Sequence, residues 1–293
     1  MGSKHEHHKR RHKKHLKNQL RKDAFSEDDA EVIELLYEQI NSLIIFLASD
    51  MFFFRYGQNL IYETISENEE KEFYFFQVSA NLLKANLLAL CASIYAVQID
   101  YKRYNMQIRR KLQGRIRFSL RAERTVAVAS VMTAVLFLLQ FIGAIGIFRR
   151  GFISSSNSSK SESIQLCLIE IRAFQIRYWA DCFLIKSTIS SIELVKSKYE
   201  NKNTSHDKSE NPDIPAVISG ELYFVQRTML LYINILIYKN LLGDYNEENQ
   251  NYILSPNVII IIGNIIGEAA NMNVLLAFIE IYMRNVNEPI FGR

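Results

Sequence analysis

The sequence predicts an all-α protein: a bundle of about six long helices, partly embedded in a membrane. Three observations carry this. Residues 125–148 read TVAVASVMTAVLFLLQFIGAIGIF, with no charged side chain and with arginines at both ends. A hydrocarbon core about 30 Å thick needs about 20 apolar residues in a helix, and this run supplies them. The 4 prolines all lie from Pro212 onward. Long runs of Leu, Ile, Ala, Phe, Glu and Lys take the place of the period-two alternation of strands. The hydrophobic fraction is 48% and the charged fraction 23% over 293 residues, close to globular averages. Polar segments must therefore accompany any membrane part.

Residues 1–27 are expected to form a disordered, basic, His-rich tail. Nine Lys or Arg stand against the single acid Glu6 within residues 1–22, so most of the net charge of +4 belongs to this segment. A first helix is predicted over 28–66, with Ser26 as its cap. Val32, Leu35, Leu36, Gln39, Ile40 and Leu43 share a face, and Asp50 interrupts an otherwise apolar stretch. SENEEKE at 66–72 is an acidic turn, and a second helix follows over 72–112.

Residues 101–124 hold nine Lys or Arg and one acid. Lys102, Arg103, Arg109, Arg110, Lys111, Arg115 and Arg117 are the candidate contacts to anionic lipid headgroups. They sit on an amphipathic helix at the membrane surface or in a basic loop beside it. The third helix is predicted over 115–149 and completes an N-terminal membrane module of residues 28–150. A Ser-rich linker at 151–163 leads to a packing helix near 164–199, in which Arg177 and Asp181 stand one turn apart. After a polar linker at 200–215, the C-terminal hairpin of 216–293 supplies helices over 216–243 and 256–286. GDYNEENQN at 243–251 is the acidic turn between them, with Ser255 as cap and Pro256 at the first helical position.

Gly263 and Gly267 have the small-xxx-small spacing of close helix contacts. Asp50, Glu268 and Glu280 are the candidate polar groups within the membrane, where a carboxylate needs a partner or water. ELLYEQ at 34–39 echoes ELYFVQ at 221–226, which raises a repeat of helical hairpins. Cys91, Cys167 and Cys182 form no paired motif and read as reduced, buried thiols.

Chemical motifs are few. There is no phosphate-binding glycine loop, and the only histidine beyond the tail is His206, in a linker. No metal, cofactor or catalytic set is expected, and the reading is non-enzymatic. The partners expected are membrane lipids, anionic headgroups and further copies of the chain in a helix–helix oligomer; nucleic acid is disfavoured, since charge alone supports it. A structural, assembly or transport-associated membrane protein with a cytoplasmic N-terminus is the first reading. A soluble bundle of pore-forming type, concealing residues 125–148, is the first alternative. An interaction protein held by one membrane anchor is the second. Limited trypsin digestion is expected to cut within residues 4–22 before any helix; protection of those residues in the isolated protein would contradict the tail assignment.

Overall fold

The computed structural model describes residues 27–66, 68–151, 160–197, 199, 211–244 and 247–287. The N-terminal tail, its proposed cap Ser26, most of both linkers and His206 lie outside the described residues. The described residues form six helices and no strand: α1 (Glu27–Ile65), α2 (Asn68–Leu112), α3 (Arg121–Arg150), α4 (Lys160–Ser197), α5 (Asp213–Asp244) and α6 (Glu247–Asn287). Four of them, α1, α2, α3 and α6, are long and apolar enough to cross a membrane.

Among the described residues each helix packs against two others, in the order α1, α2, α3, α6, α5, α4 and back to α1. The helices thus close a ring, and every neighbouring pair is antiparallel. Glu31 of α1 meets Arg109 near the end of α2, Glu123 of α3 meets Arg284 of α6, and Asp213 of α5 meets Asn285 of α6. The starts of α1, α3 and α5 and the finishes of α2, α4 and α6 therefore share one end. It also carries the basic segment, and is called the basic end below.

The seams explain themselves locally. Ala85, Ala89, Ala92, Ala129, Ala173 and Ala180 are fully buried and let backbones approach. Hydroxyls tie the seams together: Ser42 donates to Ala92 O at 3.0 Å, Ser49 to Ala85 O at 2.8 Å and Ser219 to Ala180 O at 2.8 Å. The outer surface is apolar at mid-height, with Met51, Leu87, Val135, Ile142, Val225 and Ile265 exposed. Residues 125–148 are not a central helix; α3 takes one place in the ring and turns Val128, Val131, Val135 and Leu138 outward.

Large residues fit against glycine in both directions where α3 crosses α6. A Cβ on Gly143 would stand 2.5 Å from Ile260 Cγ1, and one on Gly146 2.8 Å from Pro256 Cγ. In reverse, a Cβ on Gly263 would stand 3.3 Å from Leu139 Cβ, and one on Gly267 2.7 Å from Leu136 Cδ2. The seam is its own two-fold image. The whole ring obeys the same operation: exchanging α1 with α4, α2 with α5 and α3 with α6 keeps every neighbour and reverses every direction. This is the arrangement of an inverted repeat. It does not follow the ELLYEQ and ELYFVQ echo, which relates α1 to α5, two helices that run the same way.

Several boundaries differ from expectation. α3 begins at Arg121, because residues 113–120 form a loop that turns at Gly114 with φ 72°. α6 begins at Glu247, so Pro256 lies inside the helix and most of the expected acidic turn is helical. An interior proline removes one ladder hydrogen bond. Its ring here packs on the bare backbone of Gly146, so the seam accepts a residue that would normally end a helix. Cys91 is exposed on the outer side of α2, while Cys167 is buried and Cys182 intermediate; all three are free.

Gly146→Ala should lower stability by about 1–3 kcal/mol, because the proline ring cannot rotate away from the added methyl. Pro256→Ala in that background should recover part of the loss. A thermal-unfolding double-mutant cycle in detergent measures the coupling, and strict additivity would rule out this contact as the cause.

Candidate functional site

Ionisable and amide side chains collect inside the ring at mid-height. Arg177 of α4 reaches across the α1 seam, and its Nε lies 3.0 Å from Asp50 Oδ1. The two side chains are 3% and 0% exposed. Sequence spacing suggests a pair within α4, but the ion-pair contact is the one to α1. Asp181 lies beside the same guanidinium and adjoins the Asp50 carboxyl. The hydroxyl of Tyr223, on α5, donates to Asp181 Oδ1. Below this pair Tyr56 donates to Glu170 Oε1 at 3.3 Å, again between α1 and α4.

The opposite wall is polar in a different way. Gln140, the one strongly polar residue of the 125–148 run, donates from Nε2 to Asn264 Oδ1 at 2.9 Å. Arg227 of α5 donates from Nη1 to the same oxygen at 2.9 Å. Arg227 is 3% exposed and, among the described residues, has no carboxylate in ion-pair contact. Phe137 adjoins both arginines: the guanidinium carbons of Arg177 and Arg227 are 5.1 and 5.8 Å from its ring centroid. Phe53 at 5.0 Å and Phe46 at 5.5 Å complete an aromatic collar around Arg177. A guanidinium over aromatic faces keeps some stabilisation when water is withdrawn.

Two cavities meet this cluster from opposite ends. The first, of about 280 Å³, runs towards the basic end between Arg177, Arg227, Thr133, Ser187, Asp213 and Arg103. The second, of about 240 Å³, runs the other way between Arg177, Arg227, Glu170, Asn234, Glu63 and Arg150. Arg177 and Arg227 line both. Fourteen helical residues separate Arg227 from Asp213 and from Leu241, so each cavity extends about 20 Å from mid-height. Together they match the thickness of a bilayer.

The residues singled out from sequence take distinct places. Asp50 is in the central cluster. Glu268 lies in the groove between α5 and α6, where Thr228 donates to its Oε1 at 2.7 Å. Glu280 is exposed on the outer side of α6 towards the basic end. Gly263 and Gly267 form the α6 half of the two-fold seam. Lys102, Arg109, Lys111, Arg115 and Arg117 are exposed at the basic end, whereas Arg110 is buried and Arg103 lines the first cavity. Lys102 Nζ contacts Glu38 at 2.9 Å, and Arg103 donates to Gln39 at 2.5 Å. Among the described residues no three His, Cys, Asp or Glu side chains come together as a metal-binding group.

Comparison with protein-family models, with curated proteins and with solved structures finds no match. The site therefore has to be read from its own chemistry. Sequence reasoning leaves out Arg227, Gln140 and Asn264 as site residues. Their signal is position: each is a polar side chain at least ten residues from either end of an otherwise apolar helix.

Arg177→Met should destabilise by about 3–5 kcal/mol, because two adjoining carboxyls lose their only cation. Arg177→Met combined with Asp50→Leu should cost less than Arg177→Met alone. Unfolding in detergent decides this, and a double variant at least as unstable as the single one would show that the pair is not the centre of the seam.

Proposed function

We propose that this chain is a non-enzymatic integral membrane protein that passes a small solute through the interior of its ring. The meeting of two cavities at Arg177 and Arg227 supports this reading, because a packing helix bundle gains nothing from charges at the junction of two internal spaces. Buried ionisable groups at membrane mid-height are expensive and mark solute pathways. In this reading all six helices cross the bilayer. α4 and α5 join the four apolar ones because Arg177, Asp181 and Arg227, which make them less apolar, face inward.

The basic end is cytoplasmic in this proposal, since Lys and Arg near span ends are retained on that side. The exposed Lys102, Arg109, Lys111, Arg115 and Arg117 then meet anionic headgroups. The outer side of α4 carries Arg172 and Gln175 beside Trp179, which is 59% exposed. Polar groups facing lipid favour a protein neighbour there, and a second copy packing on α4 would supply one. Nucleic acid has no place in this reading. The concealed-helix alternative is disfavoured because α3 presents an open apolar stripe. The single-anchor alternative is disfavoured because four helices, and not one, are apolar enough to cross.

Single cysteines in a cysteine-free background test this on intact cells. Asn234→Cys lines the second cavity and should react with an impermeant thiol reagent from outside. Thr133→Cys lines the first cavity and should react only once the cells are opened. Val135→Cys faces outward near mid-height and should react in neither case. Equal reactivity at Val135 and Thr133 would remove the membrane reading, and reaction at Thr133 from outside with none at Asn234 would reverse the orientation.

A further inference from the structure

We propose that the solute is a small organic anion, a carboxylate with an apolar body, held between Arg177 and Arg227. This rests on the transport reading and names the chemistry of its central site. The two guanidinium groups, both beside Phe137, are close enough to repel each other. Their situations differ. The charge of Arg177 is met by Asp50 and Asp181 behind it, away from both cavities. Among the described residues Arg227 has only the amide oxygen of Asn264, a neutral acceptor. Glu268 attracts Arg227, but no oxygen of it comes into ion-pair contact.

Each arginine also keeps a buried donor that the protein does not satisfy: Nη2 of Arg177 and Nε of Arg227. A buried donor without an acceptor costs about as much as the interaction it lacks. Two guanidinium groups that both line the junction of the cavities can offer donors to the oxygens of one carboxylate, the planar anion that guanidinium binds best. Rings of Arg or Lys likewise select anions in pores.

The walls define the remainder of the ligand. Away from the arginines the first cavity is bounded by Leu36, Leu43, Leu184 and Phe278, and the second by Leu60, Phe75 and Leu82. A mineral anion would leave these surfaces unused, whereas an apolar body covers them. Volumes of about 280 and 240 Å³ limit the ligand to a small one. Arg103 at one mouth and Arg150 at the other place a cation on each approach. Asp100, Asp213, Glu63 and Glu170 share those walls; Asp213 accepts from Asn285 and Glu170 from Tyr56, so both carboxyls are already engaged.

The test uses the purified full chain in neutral detergent and three probes of one shape: benzoate, benzyl alcohol and benzylamine. Calorimetric titration should give saturable binding of benzoate, with benzyl alcohol and benzylamine at least about tenfold weaker. Inorganic phosphate should compete poorly. Arg227→Gln, checked for native helical content, should weaken benzoate about tenfold or more, and Arg227→Lys should lie between. Preference for benzylamine, equal binding of all three, tighter binding of phosphate, or no binding of benzoate would each overturn the proposal. So would benzoate affinity unchanged in Arg227→Gln. The probe series needs no variant, so the proposal stays falsifiable if Arg227→Gln does not fold. Cavity cysteines that react as expected while benzoate fails would leave the transport reading standing and remove only the anion.

Discussion

The contact of Arg177 with Asp50 is the point on which the ring depends. The first three helices pack consecutively, and so do the last three, but among the described residues only two seams join the halves: α1 with α4 and α3 with α6. Loss of either would open the ring into a curved layer with a polar inner surface. The α1–α4 seam is held at its centre by charge, and the α3–α6 seam by shape, through glycine against leucine, isoleucine and proline. In the membrane setting proposed above no hydrophobic drive separates inside from outside, so polar contact and close packing have to do the joining. The two seams use one of these each, which is why the charged cluster lies nearer to one wall of the interior.

Much of this architecture was legible. Helix number and most helix ends follow from apolar runs bounded by acidic or basic turns. The amphipathic start of α1 was read correctly, since Val32, Leu35 and Leu36 are buried together against α2 and α4, and Leu43 further along is buried too. Boundaries failed where local chemistry was overruled by packing. Ser255-Pro256 has every feature of a helix start, yet α6 runs through it because Gly146 leaves space for the ring. The third helix was expected from residue 115, but residues 113–120 form a loop that turns at Gly114, and Arg284 clasps this loop from α6, 3.9 Å over the ring of Phe118.

The interior was less legible, for a physical reason. A period of 3.6 residues says which side chains share a face, but not whether the face meets lipid, a neighbour or a lumen. In α4 and α5 the apolar and polar faces are both partly buried, so Arg177 and Arg227 looked like ordinary interruptions. Packing of α4 on α5 makes them neighbours, and closure against α1 and α6 turns them to the interior. Asp50 was recognisable because a lone carboxylate in an apolar run is costly anywhere; its partner was not, because it comes from more than a hundred residues away.

That separation bears on how the chain is made. Tyr56 and Glu170, the neighbouring pair on the same seam, are 114 residues apart. At about 5–20 residues per second, a ribosome needs roughly 6–23 s to supply the second after the first. During this interval α1, α2 and α3 can already associate, but Asp50 has no arginine. The N-terminal half must therefore wait as an open, unneutralised intermediate until α4 emerges, and its survival depends on whatever shelters Asp50 in the meantime.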